Sequence, residues 1–173
     1  MKNIPTKYVP SHILTAKDTK KQKSYIRKSR KMYKKGVYFN RPLVKSYKTR
    51  KSNHVNNTKR IYGVNTVVPN KELATKTQCS LNTLKKIVNK GRGAYYSSGS
   101  RPNQSAESWG IGRLGSALTG GHSSVIDFHL LHKGCNHNGK AYKMAKKTCK
   151  KMGRCTKYLN KIPSFRHAKN NKN

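Results

Sequence analysis

Apolar residues recur at helical spacing in several separate stretches of the chain, and no stretch alternates strongly enough to predict a sheet. The densest run lies between Pro69 and Gly134. Asn70 caps a short helix there, KELATKT, and Ser80 caps a second, LNTLKKIVNK, which Gly91 ends. Leu81, Leu84, Ile87 and Val88 form the apolar stripe of that second helix. GRGAYYSSGSRPNQ comes next as a glycine- and serine-rich loop holding the adjacent aromatics Tyr95 and Tyr96. A third helix runs from about Ala106 to Thr119, capped by Ser105 and ended by Gly120 and Gly121. Gly110, Gly112 and Gly115 inside it each cost about 1 kcal/mol relative to alanine. So many glycines in one helix imply a neighbouring backbone packed very close, with Trp109, Leu114 and Leu118 beside the contact. Ser124 with Asp127 reads as a capping box opening VIDFHLLHK, which closes at Gly134.

The flanks carry thinner apolar faces. Residues 1–14 hold two prolines and no periodicity, so an extended arm is expected. Thr15 and Asp18 form a capping-box pattern, and Gly36 marks the stop of the helix between them. Tyr25, Ile26, Met32 and Tyr33 lie on one side of that helix and cations on the rest. Between 37 and 68 the period is weak. Val37, Phe39, Val44 and Tyr47 could pin the stretch to a neighbour, Ser52 could cap a short helix ending near Arg60, and Tyr62 to Val68 reads as extended. Near the other end GKAYKMAKKTCKKM is helical, with Ala141, Ala145, Cys149 and Met152 on one face and Gly153 as its stop. A basic tail completes the chain, with Tyr158, Leu159 and Phe165 as candidate anchors. The predicted fold is therefore mainly α. A helix-turn-helix-like pair plus two or three further helices make a small core at 69–134. A basic arm with one amphipathic helix and extended segments (1–68) precedes it, and a basic C-terminal helix and tail (135–173) come after.

Charge changes the picture most. The chain has 40 Lys and Arg against 4 Asp and Glu, a formal net charge of +36 over 173 residues, and only 33% hydrophobic residues. Only 8 of those cations lie between Gly63 and His132, while 19 precede that window and 13 come after it. Such a chain repels itself unless something negative meets it. The counter-surface is nucleic acid, an anionic membrane leaflet or an acidic protein. No apolar run approaches the roughly 20 residues of a spanning helix, and the first residues lack the apolar core of a secretory leader. Cys79, Cys135, Cys149 and Cys155 are too few and too spread for a disulfide framework, which implies synthesis in a reducing compartment.

Several constellations could carry chemistry. NKELATKTQCSLNTLKKIVNKG has the spacing of a helix-turn-helix, with Gln78 where such turns usually carry glycine. If it reads DNA, Ser80, Asn82, Thr83, Lys85 and Lys86 face the groove or its phosphates. SSGSRPNQSAESWG lacks the lysine of a phosphate-binding loop, and Arg101 and Gln104 are expected to brace it. Cys135, His137, Cys149 and Cys155 could ligate zinc, pair once or stay as thiols. No cofactor is expected. The four carboxylates Asp18, Glu72, Glu107 and Asp127 form no acid–base pair, and His122, Ser123, Asp127 and His129 are too close in sequence for a triad. A non-enzyme is expected. Candidate contacts to nucleic acid or an acidic partner are Lys20, Lys21, Arg27, Lys28, Arg30, Lys31, Lys34 and Lys35 on the first basic helix. Asn82, Lys85, Lys86 and Arg92 join them from the core, and Lys146, Lys147, Lys150 and Lys151 from the last helix. Tyr95, Tyr96, Trp109 and Gly112 are the candidate core or docking positions.

YVPSHIL, KSRKMYKKGVYFNRPLVKSYKTRKSNHV, KELATKTQCSLNTLKKIVNKGRGAYYSSGSRPNQ, SWGIGRLGSALTGG and DFHLLHKGC together span roughly residues 8 to 135. This stretch resembles an uncharacterised basic domain family of nucleocytoplasmic large DNA viruses of algae and protists. The resemblance transfers no functional residue. It implies a viral product made in host cytoplasm and carried in the virion. The leading expectation is a minor capsid component whose basic arms meet other capsid proteins or packaged double-stranded DNA, assembling through those partners. The alternative is a non-specific DNA-binding or DNA-condensing protein, with or without a working helix-turn-helix.

Overall fold

Four side chains start the helices where the local pattern places them. Thr15, Asn70, Ser80 and Ser105 each accept a hydrogen bond from the amide three residues on. Each satisfies a donor that the first helical turn leaves without a partner. A computed structural model describes residues 3–49 and 52–159, and among them the chain is mainly helical with no strand. The helices are α1 (Ala16–Tyr33), α2 (Asn53–Tyr62), α3 (Lys71–Thr77), α4 (Leu81–Ser97), α5 (Ala106–Leu118), α6 (His122–Ile126), α7 (Phe128–Gly134), α8 (Lys140–Lys151) and α9 (Thr156–Leu159). Phe165 and the basic tail around it lie outside the described residues.

The main core gathers Leu73 of α3, Leu84, Ile87 and Val88 of α4, and Leu114, Ala117 and Leu118 of α5. Phe128 and Leu131 of α7 and Ala141, Tyr142 and Ala145 of α8 close it, so the last basic helix is a wall of the core. Tyr62, expected in an extended segment, ends α2 and donates its hydroxyl to the Leu118 carbonyl at 2.7 Å. Burial raises the pKa of that phenol above its ordinary value.

Residues 3–49 do not run free of the core. Tyr8, Val9, Leu14, Ile26 and Val44 are buried in a second cluster, against which Trp109 packs. Each such aliphatic side chain contributes about 1.5–3 kcal/mol when buried, enough together to hold a short segment down. Polar bonds fix the register. Gln22 donates to the carbonyls of Tyr8 and Ser100 at 3.0 and 3.3 Å. Asn103 accepts from the Val44 amide at 2.8 Å and donates to the carbonyls of Val44 and Tyr47. Asn103, in the left-handed region at φ 57°, thus braces the loop. Arg101 is exposed and takes no such part, and Gln104 accepts only from Ser108.

Three local expectations are corrected by tertiary contact. Gly91 does not end α4, which continues through it to Ser97. A Cβ on Gly91 would sit 2.6 Å from the Gly110 Cα, and one on Gly110 would sit 2.9 Å from the Val88 carbonyl oxygen. These two glycines are where α4 and α5 touch backbone to backbone. Gly115 makes a similar approach to His54 of α2, but Gly112 faces open space and takes no part in docking. The segment after Gly121 is two short helices broken at Asp127 (φ −100°, ψ 14°), and the Ser124–Asp127 capping box does not form. Ser124 donates back to the Gly121 carbonyl at 2.7 Å, and Asp127 turns inward.

The cysteines also depart from expectation. Cys79 pairs with Cys135 and Cys149 with Cys155, leaving no free thiol, so the reducing compartment inferred from their spread loses its basis. The first bond joins the turn between α3 and α4 to the end of α7, beside an isolated antiparallel bridge. Spacing along the chain hides this pairing because the partners are 56 residues apart.

Gly91→Ala should destabilise the fold by about 1–3 kcal/mol, since backbone has to move. Gly112→Ala should be neutral or stabilising by up to about 1 kcal/mol. Urea unfolding monitored by circular dichroism distinguishes the two. In the same assay, Cys79→Ser should cost up to about 4 kcal/mol and Cys155→Ser about half that, in keeping with the loop each bond closes.

Candidate nucleic-acid interface

The fate of the four carboxylates sets the electrostatics. Asp18 accepts from the Ser46 amide at 2.9 Å and its hydroxyl at 2.7 Å, so it does not reach back to its own helix start. Those two bonds hold its carboxyl below the usual carboxylate range. Asp127 is fully buried, with Arg113 gripping both oxygens at 2.6 and 2.8 Å and Lys90 adding a third contact at 2.9 Å. His129 stands 3.4 Å from the Lys90 ammonium. Burial, then that ammonium, hold its imidazole below the ordinary range. Glu107 pairs with Arg92 at 2.9 Å, and Glu72 is exposed in the first turn of α3. Three of the four anions are therefore engaged within the fold.

The cations lie outside. On α1 the inner face is Asp18, Gln22, Ile26 and Ser29. The outer face exposes Lys20, Lys21, Arg27, Lys28, Lys31 and, at its end, Lys34 and Lys35. That face is about 27 Å long. Arg30 is not part of it, because its guanidinium donates to the Ser98 carbonyl at 3.2 and 2.7 Å. On α8, Lys146, Lys147, Lys150 and Lys151 are all exposed.

The helix-turn-helix pair has the expected turn: Gln78 takes the left-handed conformation (φ 54°, ψ 38°) that glycine usually supplies. The start of α4, however, does not suit groove reading. The Ser80 amide donates to the Gly134 carbonyl at 2.7 Å and the Asn136 amide to the Gln78 carbonyl at 2.8 Å. Thr83 is buried where Gly134 crosses it, because only a residue without a side chain can pass there. Recognition helices present their first turns to base edges, and on α4 that turn is partly covered. Asn82, Lys85 and Lys86 remain exposed.

Tyr95 and Trp109 serve the interior. Tyr95 is 1% exposed, and Trp109 sits edge-on to Tyr8 with ring centroids 5.8 Å apart. Arg41, which no local pattern marks, lies over the Tyr95 ring at 3.6 Å. It donates to the Tyr95 carbonyl at 2.8 Å and the Ser100 hydroxyl at 2.6 Å. Burial lowers its pKa, and the last carbonyls of α4 supply the negative end that keeps the cation there. Tyr96, half-buried, opens instead onto a surface cavity with Tyr33 and Tyr38.

Residues 5–128, from the second cluster through α5 and α6, match a family of unknown function (DUF5824). The chain belongs to DUF5824. No curated protein and no solved structure matches it. The DUF5824 match takes in α1, the helix-turn-helix pair, Arg41, Asp127 and the tyrosine cavity, and stops before Cys135 and α8.

The zinc candidates of this DUF5824 chain do not converge. Cys135 bonds to Cys79, and Cys149 to Cys155. His137 lies near the His132 carbonyl at 2.9 Å and stacks on Tyr142 at 4.1 Å. Among the described residues no group of three or more His, Cys, Asp or Glu is arranged to hold a metal.

Asp127→Ala should cost about 3 kcal/mol or more, because it strands the Arg113 guanidinium in a buried site. Lys90→Met should cost much less, since the Lys90 side chain is 41% exposed. Urea midpoints of both variants check this order.

Proposed function

We propose that this DUF5824 protein is a non-enzymatic structural component that binds nucleic acid through phosphate contacts. In the viral setting implied by the sequence resemblance, it would be carried in the virion against packaged double-stranded DNA after synthesis in host cytoplasm. The supporting observation is the division of charge. Three carboxylates are engaged by groups of the chain itself, the exposed faces of α1 and α8 are cationic, and the net charge is +36. Compensation then has to come from a partner. A phosphate backbone suits a linear cationic face, releases its counterions on binding and needs no base contact.

A membrane is a poorer fit: no described helix is long and apolar enough to cross one, and the outer face of α1 carries no broad apolar stripe. A second reading is a minor capsid component whose cations meet acidic capsid subunits. It draws on Ile13 and Leu43, exposed at 48% and 74% beside their clustered neighbours Leu14 and Val44. Assembly through such partners would then bring several copies together.

Fluorescence anisotropy with a labelled duplex tests the first reading. Binding should be firm at about 50 mM salt and fall steeply as salt rises, with a log–log slope of about −7 for about eight phosphates neutralised. Arg27→Gln, Lys28→Gln and Lys31→Gln together should reduce that slope by about 3. Weak duplex binding at low salt, with retention on genome-free shells, would favour the capsid reading.

A further inference from the structure

We propose that the cavity between α1, the 37–40 loop and α4 is a stacking site for an unpaired nucleobase, as a single-stranded nucleic acid presents and a duplex does not. This rests on the phosphate-binding reading and adds a base-recognition site to it.

The cavity holds about 570 Å³, within the range of small-ligand sites. Tyr33, Tyr38 and Tyr96 form its aromatic wall. The Tyr33 and Tyr96 rings are nearly parallel, 8° apart with centroids at 6.1 Å, and Tyr38 meets Tyr96 edge-on at 4.9 Å. Tyr38 is nonetheless 66% exposed. A tyrosine held by two other rings but left open to solvent is a platform already ordered for a flat ligand, which lowers the entropy cost of binding.

The polar edge fits a base as well. Asn40, which lines the cavity, accepts from the Tyr96 hydroxyl at 3.0 Å through its Oδ1, and its amide donors have no partner among the described residues. Asn89 contributes a second exposed amide. Paired donors and acceptors of this kind read base edges. Glu107 pins the Arg92 guanidinium beside them at 2.9 Å.

Charge then selects among flat ligands. Asn82, Lys86, Asn89, Gly93 and Tyr96 recur at helical spacing, so one exposed face of α4 leads from a lysine to the cavity. Lys34 and Lys35 come directly after Tyr33 on the other side. A neutral aromatic ligand would leave these cations unused, whereas a nucleotide strand brings phosphates on both sides of its base. Bases inside a duplex are stacked on one another and cannot enter without being unstacked. Single strands expose them, and aromatic platforms beside basic grooves are how proteins hold such strands.

The test compares three labelled 20-mers by anisotropy: oligo(dT), an abasic strand of equal length, and a duplex, with oligo(U) run in parallel to tell an RNA strand from a DNA strand. Oligo(dT) or oligo(U) should bind about tenfold tighter than the abasic strand. Tyr38→Ala should erase that difference while leaving duplex affinity and its salt slope unchanged, and Tyr38→Trp should restore it. Because Tyr38 is largely exposed, the alanine variant should keep the wild-type circular dichroism spectrum. Equal affinity for abasic and base-bearing strands overturns the stacking site, as does a Tyr38→Ala variant that weakens duplex and single strand alike. Either result leaves the phosphate-binding reading standing. Failure of the wild type to bind any of the oligonucleotides overturns both.

Discussion

The backbone contact between α4 and α5 at Gly91 and Gly110 positions nearly every other element. With a Cβ on Gly91 the Gly110 Cα would lie only 2.6 Å away, so the two helices meet at a distance that admits no side chain there. That approach lets α4 run on past Gly91 to Ser97. Its extension then carries Tyr95 into the interior, Tyr96 to the surface cavity, and its last carbonyls to Arg30 and Arg41. On the opposite side the same pair buries Leu84, Ile87, Leu114 and Leu118. Two clusters, one on each side, are thus ordered by one contact without side chains.

Electrostatics is shaped by this packing. The buried Asp127 ties α5 and α4 together through Arg113 and Lys90, and Asp18 ties α1 to the loop at Ser46. These anions are structural, and Arg30, Arg41, Arg92, Arg113 and Lys90 answer to groups of the chain itself. Arginine suits this duty because its planar fork makes several directed bonds at once. The lysines stay at the surface, where a strongly hydrated point charge is least costly. Among the described residues the part-buried cations are Arg30, Arg41 and Arg113, whereas the lysines and the other arginines are exposed.

The cationic surfaces follow from the same packing. The cationic outer face of α1 exists because the inner face is committed to Ile26, Gln22 and Ser29. The exposed face of α4 survives beyond a first turn that the Gly134–Asn136 segment covers. Covering that turn buries Thr83 and leaves Asn82, Lys85 and Lys86 exposed. The tyrosine cavity forms where α1 ends against α4, with Tyr33 reaching Gly93 and Tyr96.

What the sequence determined by itself is local or additive. Caps at Thr15, Asn70, Ser80 and Ser105 act over three residues, the stripes of α4 and α8 over one or two turns, and the charge imbalance needs only a count. Only the tertiary structure decided which glycine ends a helix and which admits a neighbour. Gly91 and Gly153 look alike along the chain, yet one faces the Gly110 backbone and the other turns left-handed at a helix end. The same holds for the pairing of Cys79 with Cys135, the burial of Arg41 against Tyr95, and the inward turn of Asp127. Each joins groups well separated along the chain, and no short-range periodicity carries the identity of a partner that lies beyond a few helical turns.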